Sequence, residues 1–290
     1  MLNQNATIHL KCIMATKQSR KGKDTDLYKN KFAETILTIA YRFSLFTAFD
    51  DFLTMSIAAC TQNLATKKSW YEDEYLETIA KYKDSELRHD FSKAFAYMIT
   101  EMEDKSNSSL GNDVLGIFFE QHISNGRNGQ FFTPYPICQF MASITNTDVI
   151  IDDSTGTKKP VLILDPSCGS GRMLLASHRA NSPGHEYYGI DIDRTCVKMT
   201  ALNLFLHGMW NSEVMCADAL RPYDFVISYR ISMLPLGIFK IEEKENSKLW
   251  HLHKNSFPVR EVKQFSNAIV LDSTPFSERK KDDATQLDLF

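Results

Sequence analysis

The 290-residue chain has no Cys-x-x-Cys pair; its six cysteines, at 12, 60, 138, 168, 196 and 216, are scattered. That spacing argues against a zinc site or a disulfide framework, predicts no bound metal, and fits a reducing cytoplasm. No apolar run reaches membrane-spanning length. The first dozen residues contain His9 and Lys11 and lack the apolar stretch of an export signal. Excess positive charge is missing too. The net charge is -3, so a nucleic-acid surface must be a local patch or belong to a partner. What is present, 43% hydrophobic and 24% charged residues, is ordinary for a globular chain with room for one large domain or two modest ones.

In chain order, residues 1–30 read as a basic arm, with Lys17, Arg20, Lys21, Lys23 and Lys29 opposed only by Asp24 and Asp26. Such an arm is either a solvated tail or a sequence-blind contact to phosphates. Met14 also reads well as a start, which would make residues 1–13 an upstream extension. Residues 31–125 read as a helical domain. Phe32, Ile36, Ile39, Phe43 and Phe46 recur at helical spacing, and Asp50-Asp51 is placed to start a second helix. Further helices are expected over 72–83, 86–102 and 113–124. Pro134 and Pro136 then force an extended turn before a helical face of Ile137, Phe140, Met141 and Ile144.

The most informative stretch is Asp165-Pro166-Ser167-Cys168-Gly169-Ser170-Gly171. It follows the strand-like run Val161 to Leu164 and precedes the helix-like run Met173 to Ala176. Strand, glycine turn and helix make a cradle in which backbone approaches a ligand closely and a helix N-terminus faces its anionic part. A P-loop would close on Gly-Lys-Ser/Thr, and here Arg172 and Met173 follow the last glycine. A dinucleotide fingerprint would need a third glycine or alanine where Leu174 stands. The third reading is S-adenosylmethionine, and the bland one is a structural turn. Downstream, Tyr187 to Asp193 reads as a second strand and Glu213 to Cys216 as a third, each ending near an acid. Asp191 is placed to accept ribose hydroxyls, and Asp193 to cap the next helix. Asp224 to Ser228 reads as a fourth strand.

The Asp-Pro-Ser-Cys-Gly-Ser-Gly string, preceded by Gly129-Gln130-Phe131-Phe132-Thr133-Pro134 and by Asp113-x-Leu115-Gly116-x-Phe118-x-Glu120, closely resembles the DNA adenine-N6 methyltransferases, especially the modification subunits of type I restriction systems. The resemblance covers roughly residues 32–228. It implies an α/β fold, a Rossmann-like S-adenosylmethionine-dependent methyltransferase sheet over residues 126–271, preceded by the all-helical N-terminal domain. It implies methyl transfer to adenine N6 in DNA, with a separate specificity subunit supplying target recognition. Its cofactor site carries over to Phe132, Thr133 and Pro134 at the methionine end, to Asp165, Pro166, Cys168, Gly169 and Gly171 in the loop, to Asp191 at the ribose, and to Asp218 at the adenine amino group. The family then requires Asn-Pro-Pro-Tyr/Phe after the fourth strand, whose polar acceptors and aromatic face hold a flipped base. This chain reads Tyr229-Arg230-Ile231-Ser232 there and contains no Asn-Pro-Pro or Asp-Pro-Pro. Tyr229 stands at the position expected of the catalytic motif without its amide acceptor. Whether the chain is an enzyme therefore stays open, beside a non-catalytic scaffold or sensor that binds the cofactor.

After Ser228 the clear strand candidate is Ala268 to Leu271, with Leu236 to Ile241 ambiguous. Residues 272–290 read as a polar tether ending Gln286-Leu287-Asp288-Leu289-Phe290. That end resembles the peptide with which bacterial polymerases and repair proteins dock on the sliding clamp. A clamp-binding adaptor on DNA is thus the third reading, with Leu289 and Phe290 filling an apolar pocket beside Gln286.

Overall fold

The computed structural model describes residues 30–61, 69–83, 85–104, 113–124, 131–145, 150–151, 158–181 and 184–256. The expectations for the basic arm, the 268–271 strand and the clamp-like tail lie outside those residues.

The chain begins as a helical layer. Helix α1 (Lys31–Ile39) buries Phe32, Ile36 and Ile39. Helix α4 (Ser85–Asp104) packs against it, and its buried Glu101 accepts the Phe32 N–H at 3.0 Å. This satisfies a donor that a helix N-terminus leaves unpaired. The predicted stripe does not continue past α1. A 3-10 turn over Ala40–Arg42 intervenes, and Ser44 caps a new helix, α2 (Leu45–Cys60), by accepting from Thr47 N. Phe43 is therefore only half-buried and Phe46 is exposed. Asp50 and Asp51 lie inside α2 rather than at its start. Their carboxylates reach sideways, Asp50 to Lys198 at 2.9 Å and Asp51 to Lys81 and Tyr82, each at 2.8 Å. Helix α3 (Glu72–Ala80) follows α2. Helix α5 (Val114–Phe118), capped by Asp113, runs into a π-helical turn at Phe119–Ser124.

Helix α6 (Tyr135–Ile144) forms after Pro134 as expected, with its large apolar stripe turned outward. Ile137, Phe140, Met141 and Ile144 are exposed, and the buried face is Tyr135, Cys138 and Ala142. That face lies on Ala176 and Ala180 of α7 (Arg172–Ala180). Small residues on both sides let the two helices approach closely, and this outweighs the larger apolar stripe. A short antiparallel pair, β1 (Ile150–Ile151) and β2 (Lys158–Lys159), precedes the main sheet.

The main sheet has five strands: β3 (Leu162–Asp165), β4 (Glu186–Asp191), β5 (Ser212–Cys216), β6 (Ile227–Met233) and β7 (Leu236–Ile241), in spatial order β3-β4-β5-β6-β7. Strands β3, β4 and β5 are parallel, and β6 and β7 are antiparallel additions beyond β5. The crossover helices are α7 and α8 (Arg194–Leu206). This β-α-β-α-β run is the first half of a doubly wound sheet, so the class is α/β, as expected. One face of the sheet joins the helical layer in a single core reaching from Phe32 and Phe52 to Val197, Val214 and Ile238. The other face packs Tyr188, Ile190 and Met215 on Leu249 of α9 (Lys248–Ser256). No single described helix is long and apolar enough to cross a membrane.

The fourth strand is the main correction. It starts at Ile227 rather than Asp224, runs to Met233, and pairs antiparallel with β5, with Met215 opposite Ser228. Residues Pro222–Asp224 form a 3-10 turn instead. A two-residue connection at Leu234 and Pro235 sends the chain straight back as β7, and a link that short can join only antiparallel neighbours. The outer edge of β7 is sealed by the helical layer. Thr61 Oγ1 donates to Ile238 O (3.1 Å) and accepts from Ile238 N (3.0 Å), and Tyr71 Oη accepts from Lys240 N (2.6 Å). At the other edge, no strand among the described residues pairs with the outer side of β3.

Candidate functional site at the carboxyl ends of the parallel strands

The loop from Asp165 to Gly171 connects β3 to α7 in a tight bend. Asp165 Oδ1 accepts Ser167 N at 3.1 Å, Cys168 N donates to Ile190 O at 2.9 Å, and Gly171 N donates to Cys168 O at 2.7 Å. Gly169 and Gly171 take φ values of +54° and +83°, which side chains beyond Cα disfavour. At Gly169 there is also no room, because an added Cβ would sit 2.9 Å from the Phe132 ring. Helix α8 holds the loop from below. Thr200 Oγ1 donates to Gly169 O and Asn203 Nδ2 to Ser170 O, both at 2.8 Å. The Cys168 side chain is buried beside Gly189, where a Cβ would lie 3.0 Å from its Sγ. Pro166 is exposed.

The acids fall where parallel pairing puts them. Asp165 is opposite Gly189 and Asp191 is opposite Cys216, so β3, β4 and β5 end side by side. Asp191 Oδ2 accepts Gly169 N at 2.8 Å and its Oδ1 accepts Asp193 N at 2.9 Å. Each oxygen keeps a second acceptor site. Burial pushes the Asp165 and Asp191 carboxyls above the ordinary aspartate value. The Asp191 charge adds to the rise at Asp165, while backbone N–H bonds oppose it at both. Asp193 caps α8 through Thr195 N at 2.8 Å. Asp218, two residues beyond β5, is exposed and accepts Leu220 N at 2.9 Å.

Phe132 and Thr133 reach the loop from the segment before α6. The Phe132 ring stacks on Phe119 with centroids 5.8 Å apart and covers Gly169. Thr133 O accepts Arg172 Nη1 at 3.1 Å. Pro134 is the residue before the first turn of α6, and its carbonyl accepts Ile137 N and Cys138 N. The structure thus gathers Phe132, Thr133, Asp165, Cys168, Gly169, Gly171 and Asp191 around one loop, with Asp218 at the next strand end.

Tyr229 is not gathered there. It pairs with Val214 on one side and Lys240 on the other, three strands from Asp165, which is about 14 Å at normal strand spacing. It is 3% exposed in the core shared with the helical layer, and burial pushes its hydroxyl well above the usual tyrosine value. The cause is the antiparallel placement of β6, which carries the residue after Ser228 away from the loop.

Two further residues belong to the site and were not singled out for it by sequence. Asp113 and Arg172 make a buried ion pair behind the loop, Arg172 Nε to Asp113 Oδ2 at 2.8 Å. An arginine directly after the glycine loop, opening an apolar helix, was the available signal. Among the described residues, no group of three or more His, Cys, Asp or Glu side chains is placed to hold a metal ion.

Residues 110–229 match the family profile described as N-6 DNA Methylase. The type II methyltransferase M.MamI of Microbacterium ammoniaphilum is 30% identical over 125 residues, covering 37% of this chain and 34% of its own length. The type II restriction enzyme and methyltransferase RM.BcgI of Heyndrickxia coagulans is 26% identical over 180 residues, covering 54% of this chain and 26% of its own. The chain thus spans about a third and about a quarter of these relatives' lengths. A crystal structure of a type I restriction-modification methyltransferase subunit from Streptococcus thermophilus superposes at a TM-score of 0.32 with 17% identity, covering 71% of this chain and 62% of that one.

Proposed function

We propose that the chain, whose residues 110–229 match the N-6 DNA methylase profile, holds S-adenosylmethionine at the 165–171 loop for methylation of adenine N6 in DNA, in a restriction-modification assembly. One observation carries the reading. Three acids, Asp165, Asp191 and Asp218, stand at successive carboxyl ends of three adjacent parallel strands around a glycine loop, which is where such sheets bind nucleotide-like ligands.

The residues present fit that cofactor. Asp165 and Asp191 are carboxylates that burial alone would disfavour. A ligand carrying an ammonium and a sulfonium beside them offsets that cost. Asp191 keeps an acceptor site on each oxygen for the ribose hydroxyls, and exposed Asp218 accepts from the adenine amine. Gly169 lets the Phe132 ring lie directly on the loop backbone, so that Phe132 forms a wall of the site. The bound cofactor supplies an electrophilic methyl group, and the chain orients it and shields one side of it from water.

Holding the target base is a separate task. Tyr229 lies three strands away, and the relatives extend far beyond the matched segment. We infer that base-holding groups come from a partner chain, together with a specificity subunit that selects the DNA site. The reading is tested by titrating S-adenosylmethionine into the full chain by calorimetry, with Asp191→Ala as control. Micromolar binding lost in the variant supports it; no binding by the wild type overturns it. The scaffold or sensor reading shares this cofactor site and differs in one result, the absence of transfer even when partner subunits and DNA are supplied.

A further inference from the structure

Arg172 occupies the first position of α7, directly after Gly171. A basic residue opening a helix after a glycine loop suggests a phosphate ligand, yet this one turns away from the ligand side. Its side chain is 8% exposed, and all three guanidinium nitrogens are used inside the protein. Nε donates to Asp113 Oδ2 at 2.8 Å, Nη2 to Glu120 Oε2 at 2.7 Å, and Nη1 to Thr133 O at 3.1 Å. The guanidinium carbon also lies 5.6 Å from the centre of the Phe132 ring. The fork therefore grips two carboxylates of the helical layer with two arms. The third arm, and its flat face, hold the segment that covers Gly169.

Asp113 is built to receive that fork. It is fully buried and accepts four donors: Gly116 N (2.9 Å) and Asn203 Nδ2 (3.0 Å) on Oδ1, Ser170 Oγ (2.5 Å) and Arg172 Nε (2.8 Å) on Oδ2. One carboxylate so ties α5, the glycine loop, α7 and α8 to a single point. Gly116 makes the approach possible, since a Cβ there would lie 2.1 Å from Asp113 Oδ2 and 2.3 Å from Ser170 Oγ. Stability alone is a weak reason for such a cluster, because a buried ion pair is often no better than well-packed apolar residues. Its geometry has a more specific consequence: the cluster links the loop, through Ser170 Oγ, to the segment that closes over it, through Thr133 O and the Phe132 ring.

We propose that Arg172 and Asp113 are positioning residues that fix Phe132 and Thr133 over the glycine loop and so shape the methionine end of the cofactor site. The proposal rests on the cofactor reading for its ligand, but the positioning itself is a property of the unliganded protein. Arg172→Lys keeps the charge and loses the planar fork, so one ammonium cannot serve Asp113, Glu120 and the Thr133 carbonyl together. In the full unliganded chain, the nuclear Overhauser contacts between the Phe132 ring and Gly169 are expected to be lost, because the ring is no longer held over the loop. Backbone amide shifts in β4 and β5 should stay unchanged. Calorimetry should show S-adenosylmethionine affinity lower by about tenfold or more.

Amide shifts displaced throughout the sheet, or retained contacts between the Phe132 ring and Gly169 in folded Arg172→Lys, overturn the proposal. Should Arg172→Lys fail to fold, Glu120→Gln removes the charge only from the half-exposed partner. The same local loosening is expected there, and its absence is equally decisive. If the wild type binds no S-adenosylmethionine, the cofactor reading falls, and the Phe132–Gly169 contacts still decide whether these residues hold the segment.

Discussion

At the scale of single residues, the loop is defined by what cannot be added to it. Gly169 combines a positive φ with an aromatic ring where a Cβ would go, so Gly169→Ala incurs both backbone strain and a displaced Phe132. A stability loss of about 2 kcal/mol is expected, read as a lower urea midpoint, with cofactor binding abolished in calorimetry. The acids predict a proton signature. Asp165 and Asp191 are raised by burial, and a cationic ligand lowers them again. Binding should therefore release protons, and affinity should fall as pH drops through the raised values. Titrations in buffers of different ionisation enthalpy along a falling pH series are expected to show proton release that grows as the pH approaches the raised values. His207 works in the opposite sense for stability. Burial pushes its imidazole down to about 4 from 6.5, with Nδ1 bonded to Asn203 O at 2.7 Å. Below about pH 6.5 the unfolded chain takes up a proton that the native state refuses. Stability falls from there to about pH 4, by at most about 1.4 kcal/mol per unit. The raised acids act the other way over part of that window, so the comparison that isolates His207 is wild type against His207→Gln across a pH series of urea midpoints. The variant should lose less.

At the scale of elements, polar anchors decide where the chain goes after the third strand. Glu213 is 1% exposed in the middle of the sheet. It accepts Ser228 Oγ at 2.8 Å, Ser247 Oγ at 2.5 Å and Lys248 N at 2.9 Å. It thereby binds β6 to β5 and caps the start of α9 at once. Glu213→Ala leaves the Ser247 hydroxyl and the Lys248 N–H without their acceptor and should cost about 3 kcal/mol, measured by denaturant unfolding, with Glu213→Gln losing less. This anchor also shows what sequence could and could not reveal. The strand, glycine turn and helix at 161–176 were legible because local spacing and glycine chemistry specify them without reference to the rest of the chain. Asp193 was legible as a cap for the same reason. The direction of β6 was not, because Ile227, Tyr229 and Ile231 alternate equally well for either neighbour, and the choice rests on a contact to Glu213 that spacing does not show. Likewise Arg172 and Asp113 are 59 positions apart, and their pairing exists only once α5 packs behind the loop. The helix of α6 was legible from its apolar spacing, but not which side it buries, because that is set by the small residues Cys138 and Ala142 meeting Ala176 of α7.

At the scale of the whole molecule, the two edges of the sheet differ. The β7 edge is closed by Thr61 and Tyr71, while the β3 edge has no neighbour among the described residues and leaves Leu162 and Leu164 nearly half exposed. In a doubly wound sheet the strand that carries the glycine loop lies at the point where the strand order reverses, and the ligand sits in the crevice between the loops on either side. Here β3 supplies one wall of that crevice, with β4 and β5 beyond it, and β6 and β7 extend the sheet on the far side. A methyl group held against one wall still needs the target amine fixed opposite, with reacting atoms held in attack geometry, and losing preorganised contacts of that kind costs on the order of 100- to 1000-fold each. The chain alone is therefore expected to bind S-adenosylmethionine yet to transfer no measurable label from the tritiated cofactor to DNA, with transfer appearing when a partner carrying the base-holding segment is added. Adenine methylation by the purified chain alone would show that the second wall lies within its own remaining residues.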